Sequence, residues 1–86
     1  MTEFENEVMS VIRDALMLND VPSSFTAESG LFESFGLDSV DALEMVMAIK
    51  RRYGVEFNAE DEKNKAVFAT LRSLAAYVAE RRAAQA

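Results

Sequence analysis

The sequence contains no cysteine and no histidine, and only one proline and three glycines among its 86 residues. Without cysteine, the chain has no disulfide, thiol redox centre or thiolate metal site, which agrees with a reducing compartment. No apolar run approaches the roughly 20 residues that span a bilayer. The acidic start also lacks the basic and apolar regions of a signal peptide. We therefore expect a cytoplasmic protein without membrane insertion and without a catalytic metal site.

Positive charge is also scarce, since nine basic side chains face fifteen acidic ones and the formal net charge is −6. Nucleic acid is excluded as a partner because phosphate contacts need a basic surface. A basic protein surface or divalent cations are natural partners instead. For the acidic run Glu60-Asp61-Glu62 we expect magnesium or calcium to raise the melting temperature.

The length allows one domain, residues 1–86, because two hydrophobic cores would not fit. Thr2 and Glu5 have capping-box spacing, and an apolar stripe then predicts a first helix to about Leu18. A long connection from Asn19 to Leu37 follows, with room for a short helical turn. Aromatic and leucine side chains are expected to hold it to the core: Phe25, Leu31, Phe32 and Phe35.

A second helix is predicted from Ser39 to Tyr53, between the N-cap Asp38 and Gly54. Its expected buried arc consists of Val40, Ala42, Leu43, Val46, Met47, Ile49 and Tyr53, with Met45 at the rim. A short third helix is predicted at about 59–64, and a last helix follows the N-cap Thr70. The fold class is therefore all-α: a four-helix bundle with three principal helices, one short helix and a long first loop.

One serine stands at the start of the second helix, in the run Gly36-Leu37-Asp38-Ser39-Val40-Asp41. A serine after an aspartate at a helix start is most often a solvated first-turn residue. Here no histidine or cysteine can activate Ser39, which makes it a poor nucleophile and a good attachment point. This run resembles the prosthetic-group site of acyl carrier proteins. The resemblance continues through residues 42–46 and through Tyr53-Gly54-Val55.

The resemblance implies that Ser39 carries covalent 4′-phosphopantetheine and that acyl groups are held on it as thioesters. It also implies a four-helix acyl-carrier bundle in which the second helix is the main recognition element and an acyl chain can enter between the helices. The first-turn amides and the helix dipole are expected to stabilise a phosphodiester at Ser39.

The resemblance further implies a phosphopantetheinyl transferase (holo-carrier synthase) and acyl-handling enzymes, such as ketoacyl synthases or acyltransferases, as partners. They belong to fatty acid, polyketide or related specialised lipid biosynthesis. We predict that they contact Asp38, Asp41, Glu44 and Met45, which flank the serine. The carrier itself is expected to be a monomer.

Three features depart from housekeeping fatty-acid carriers. Lys50-Arg51-Arg52 stands where those carriers are usually acidic, Ser34 where an acid is usual, and Phe35 where a leucine is usual. The basic run either compensates the helix dipole or meets a different set of partners. Together the departures favour a specialised carrier.

The alternatives to an acyl carrier are an enzyme, an unmodified docking module and a peptidyl or D-alanyl carrier. An enzyme would need a base in contact with Ser39, and Lys50 lies about 16 Å along the same helix. Lys63 and Lys65 lack an accompanying glycine-rich oxyanion turn, so we expect no catalysis. An unmodified acidic docking module explains the charge but leaves the serine motif to chance. Peptidyl carriers usually have histidine where Asp38 stands, whereas no residue excludes a D-alanyl carrier.

Overall fold

The computed structural model of the chain describes residues 1–57 and 64–85. Its helices are α1 (Glu3–Leu16), α2 (Leu31–Phe35), α3 (Ser39–Tyr53), α4 (Asn64–Val67) and α5 (Leu71–Gln85). The all-α class is confirmed, with three long helices as predicted. Two short helices are present among the described residues instead of one, because the first loop contains α2. No described helix is long and apolar enough to cross a membrane.

Both ends of α1 are set by local chemistry. The predicted capping box is confirmed, since the Glu5 amide donates to Thr2 Oγ1 at 3.1 Å and the Thr2 amide to Glu5 Oε1 at 2.8 Å. The helix ends at Leu16, because Met17 adopts the left-handed region with φ 55°. The Leu18 amide then donates to the Arg13 carbonyl at 3.0 Å, which closes the last turn.

The core lies where α1, α3 and α5 meet. α1 packs against both other long helices. The fully buried side chains of the core are Val8 and Ile12 from α1, Leu31 from α2, Met45 and Ile49 from α3, Val55, and Leu71, Leu74 and Val78 from α5. The first loop is held to this core as predicted, since Phe25 is buried and packs edge-on against the Phe35 ring at 5.1 Å between centroids.

The side of α3 that faces the core differs from the prediction. Val40, Leu43 and Met47 were expected inside, but 62%, 60% and 49% of their surfaces are exposed. Ile49 is buried as predicted, but Met45, which was placed at the rim, and Ala48 are buried as well. Residues 40–49 are apolar on nearly every side of the helix, so hydrophobic periodicity alone does not determine which side of α3 is buried. The packing of α3 against α1 determines it.

The first loop is also bonded to the start of α5. The Leu31 amide donates to the Ala69 carbonyl at 3.0 Å, and the Arg72 amide donates to the Ala27 carbonyl at 2.9 Å. The predicted N-cap Thr70 is confirmed by a 3.1 Å bond from the Ser73 amide to its hydroxyl. These bonds fix α2, which leads directly into α3.

Two predictions fall on the undescribed part of the chain. The acidic run Glu60-Asp61-Glu62 lies outside the described residues, and so does most of the short helix predicted at 59–64. The described short helix begins at Asn64.

Candidate functional site

Ser39 is the first residue of α3 and is exposed. The chain reaches it through a tight junction after α2. Gly36 ends α2 in the left-handed region with φ 63°, which favours glycine. The Leu37 amide donates to the Phe32 carbonyl at 3.0 Å. Since the start of α2 is anchored in the core by Leu31, this junction holds Ser39 at a defined surface position.

The carboxylates on either side of Ser39 form a reciprocal capping box. Asp38 Oδ1 accepts from the amides of Val40 at 3.0 Å and Asp41 at 3.1 Å. Asp41 Oδ2 in turn accepts from the Asp38 amide at 3.1 Å. The prediction of Asp38 as N-cap is confirmed. Both negative charges lie at the positive end of the helix dipole, where they stabilise α3.

This capping corrects one expectation about the electrostatics of the site. The first-turn amides of α3 were expected to be unpaired and to stabilise a phosphodiester on Ser39, but two of them, those of Val40 and Asp41, already donate to Asp38 Oδ1. An anion attached at Ser39 still gains from the helix dipole, but it lies between two carboxylates. Such an anion is therefore best accommodated on the solvent side.

No described side chain that could act as a base is hydrogen-bonded to the Ser39 hydroxyl. Among the described residues, no group hydrogen-bonds this hydroxyl, and the Lys50 ammonium on the same helix pairs with Glu56 at 3.0 Å. Within residues 1–57 and 64–85, no three histidine, cysteine or carboxylate side chains converge on a metal position. The arrangement offers an accessible, unactivated hydroxyl, which fits an attachment point for a prosthetic group.

The four predicted contact residues differ in how far they are exposed to solvent. Asp38 and Glu44 are exposed, and Asp41 is half-buried. The placement of Met45 at the rim of α3 is wrong, because this side chain is 0% exposed and lies in the core. It cannot meet a partner at the surface of this fold. The reason is that α3 packs into the core with a different side from the one predicted, and this side carries Met45.

Sequence reasoning missed three surface residues beside Ser39: Val40, Leu43 and Met47. We call this set the exposed stripe of α3. Their i, i+3, i+7 spacing places them on one side of the helix. That spacing was visible in the sequence, but it was interpreted as the buried face.

The far end of α3 carries the basic run. Arg52 Nη2 pairs with Glu7 Oε1 at 2.8 Å, and Lys50 pairs with Glu56. Arg51 forms no ion pair with any described residue. All three cations lie in the last turn, where they compensate the helix dipole, so this predicted role is supported by their position.

An open apolar cavity of about 560 Å³ lies beside α2 and is lined by Phe32, Glu33, Lys65, Phe68 and Ala69. Its described lining comes from α2 and from the segment around α4, and includes no residue of α3. The entry of an acyl chain between the helices therefore stays a prediction.

Comparisons with known proteins agree with this geometry. The family model for the phosphopantetheine attachment site matches residues 6–78. An acyl carrier protein of Campylobacter hominis is 35% identical over 60 residues, covering 66% of this chain and 76% of the relative. The anthracycline acyl carrier proteins DauA of Streptomyces sp. (strain C5) and DpsG of Streptomyces peucetius are each 38% identical over 55 residues, covering 64% of this chain and 66% of the relative.

The matched region contains α2, the α2–α3 junction and all of α3, and therefore the whole candidate site. The chain belongs to the acyl carrier protein family, whose members bear covalent 4′-phosphopantetheine and present acyl intermediates to partner enzymes.

Proposed function

We propose that Ser39 is the phosphopantetheine attachment residue of this carrier and that residues 1–86 form a single carrier domain. The observation that carries the proposal is an exposed, unbonded serine at the start of α3, inside the region matched by the attachment-site family. Two other serines of that region, Ser29 and Ser73, are less suited. The Ser29 hydroxyl contacts Thr26, and the Ser73 hydroxyl donates to backbone carbonyls.

The bound prosthetic group supplies a terminal thiol on which acyl groups are held as thioesters. The chain's own residues position the attachment point. Asp38 and Asp41 fix the first turn of α3, and Gly36 fixes the approach to it. No described side chain hydrogen-bonds the Ser39 hydroxyl, and the carboxylates of Asp38 and Asp41 are engaged in the capping box, so none is placed to accept the proton that leaves on loading. We therefore propose that the transferase provides this base and that the chain has no catalytic activity of its own.

The proposed partners are the phosphopantetheinyl transferase and acyl-handling enzymes such as ketoacyl synthases or acyltransferases. The exposed carboxylates of Asp38 and Glu44, with half-buried Asp41, support a docking role for these three residues. Two relatives are named for anthracyclines, which supports a polyketide or similarly specialised role over a housekeeping one. The absence of cysteine supports a cytoplasmic location. Relatives named as acyl carriers favour an acyl load over a D-alanyl or peptidyl load.

The attachment residue is tested by loading in vitro. The purified apo-protein is incubated with coenzyme A and a broad-specificity phosphopantetheinyl transferase, and intact and peptide masses are then measured. We expect a single adduct on the peptide that contains Ser39 and none on Ser39→Ala. The matched control is Ser34→Ala, which removes another exposed hydroxyl five residues earlier and should load like the wild type.

An adduct on Ser39→Ala, or a wild-type protein that stays unmodified with a transferase active on a control carrier, would contradict the proposal. The second outcome would instead favour an unmodified acidic docking module.

A further inference from the structure

The exposed stripe of α3 begins one residue after Ser39 and continues toward the C-terminal end of the helix. Val40, Leu43 and Met47 each expose about half of their surface or more. Three neighbouring apolar side chains on one side of a helix are a feature that protein-binding surfaces share. An enzyme that docks on this side of α3 lies next to the attachment point proposed at Ser39.

Charges of opposite sign border the exposed stripe. Glu44 and Arg51 line one shallow surface depression together with Met47 and Ala15 of α1. They are separated by seven residues, about 10 Å along the helix, and form no ion pair with each other. The surface is therefore acidic near Ser39, apolar in the middle and basic at its far end.

Arg51 differs from the two cations beside it. Lys50 and Arg52 are each paired with a carboxylate of this chain, whereas Arg51 has no such pair among the described residues. Arg51 is an exposed residue, and the donors of its guanidinium are available to carboxylate oxygens of another protein. Helix-dipole compensation alone does not require this third cation on the side that borders the stripe.

We propose that Arg51 determines partner specificity, by pairing with an acidic side chain on the docking surface of an acyl-handling enzyme. This inference rests on the proposed function, which brings the enzyme to Ser39. The enzyme that fits has a basic group opposite Glu44, an apolar patch opposite the stripe and an acidic group about 10 Å further along. A partner with a uniformly basic docking surface is repelled by Arg51.

A second copy of this chain fits the surface less well. Stable protein interfaces bury about 800 Å² on each partner. Three partly exposed side chains fall well short of that area, whereas a small apolar patch with charges at both ends suits a transient encounter. In such encounters charge placement governs association rate and partner choice more than affinity.

The experiment compares Arg51→Glu with Arg13→Glu. Both are exposed arginines in the last turn of a long helix, so both variants lose the same dipole compensation. Arg13 borders a different depression, with Ser10 and Val21, away from the exposed stripe. All proteins are first loaded at Ser39 and checked by mass spectrometry, which separates a loading failure from a docking failure.

The probe is a purified ketoacyl synthase of a polyketide-type system with both acidic and basic side chains around its active-site entrance. We expect Arg51→Glu to lower kcat/KM for acyl transfer by about two- to fivefold at low ionic strength, with the loss disappearing in high salt. Arg13→Glu should match the wild type. Each acidic rim residue of the synthase is then changed singly to lysine, and one such change should restore Arg51→Glu while impairing the wild-type carrier.

Equal kcat/KM values for Arg51→Glu and Arg13→Glu would overturn the inference, as would the absence of any restoring change on the synthase. A change in oligomeric state on Arg51→Glu, measured by sedimentation, would also overturn it, because a second copy would then occupy the surface.

Discussion

At the scale of single residues, the carboxylates beside Ser39 already accept hydrogen bonds from backbone amides. Asp38 and Asp41 hold each other's main-chain amides in the capping box, so a substitution at either changes the start of α3 as well as the surface charge. Glu44 is exposed and makes no hydrogen bond or ion pair with a described residue. A docking role is therefore measured most cleanly at Glu44.

Asp38→Ala and Glu44→Lys should separate the two roles. We expect Asp38→Ala to lower the free energy of unfolding by about 0.5–2 kcal/mol through loss of the cap, and also to slow loading by the transferase. Glu44→Lys should slow loading while changing stability by no more than about 0.5 kcal/mol. Urea unfolding and initial loading rates measure the two effects.

Unchanged stability in Asp38→Ala would mean that the capping box does not form in solution. An unchanged loading rate in Glu44→Lys would show that the transferase does not depend on contact with this residue.

At the scale of elements, the ends of α3 could be predicted from sequence and its buried face could not. Asp38 and Gly54 act through local bonds, and the structure confirms both as caps. The buried face depends on contacts with α1, which no local pattern specifies when residues 40–49 are apolar almost all round. The candidate site follows the same division. The exposed position of Ser39 at the start of α3 agrees with its motif, whereas Met45 was misplaced because the wrong side of α3 was predicted to be buried.

Met45→Ala and Met47→Ala test which side of α3 is buried, with the same residue type on one helix. Met45 is fully buried, so we expect its truncation to lower the free energy of unfolding by about 2–5 kcal/mol. Met47 lies in the exposed stripe, and its truncation should change stability by about 0.5 kcal/mol or less. Chemical unfolding followed by circular dichroism measures both. The reverse order of effects would show that α3 buries the face first predicted from its sequence.

At the scale of the whole molecule, Arg72 connects three distant parts of the chain. Its side chain pairs with Glu5 of α1, with 3.4 Å between Nε and Oε2, and with Glu28 of the first loop. The Thr2 backbone amide, and secondly Arg72, hold the pKa of Glu5 below its ordinary value of 4.5 despite partial opposition from desolvation. Sequence could indicate the Thr2–Glu5 box, but not a pair separated by 67 positions.

Glu5→Gln should therefore change how stability depends on pH. Because the folded-state pKa is lowered, the stabilisation by Glu5 is fully present above pH 4.5 and is lost as the pH falls through the folded-state value. We expect Glu5→Gln to be less stable than the wild type at pH 7 and to lose less stability on acidification below that range. Glu3→Gln, an exposed change in the same first turn, is the matched control.

Melting temperatures at a series of pH values measure the effect. Parallel pH profiles for the wild type and Glu5→Gln would contradict it.

The locked junction between α2 and α3 has a geometric consequence for catalysis by partners. Gly36, the Leu37 amide and the capping box fix Ser39 relative to the exposed stripe only one residue away. An enzyme that settles on the stripe thereby also fixes how far its own reaction centre lies from Ser39. For the prosthetic group proposed at Ser39, the depth of that reaction centre in the enzyme, rather than movement within the carrier, then decides which enzymes an acyl cargo can reach.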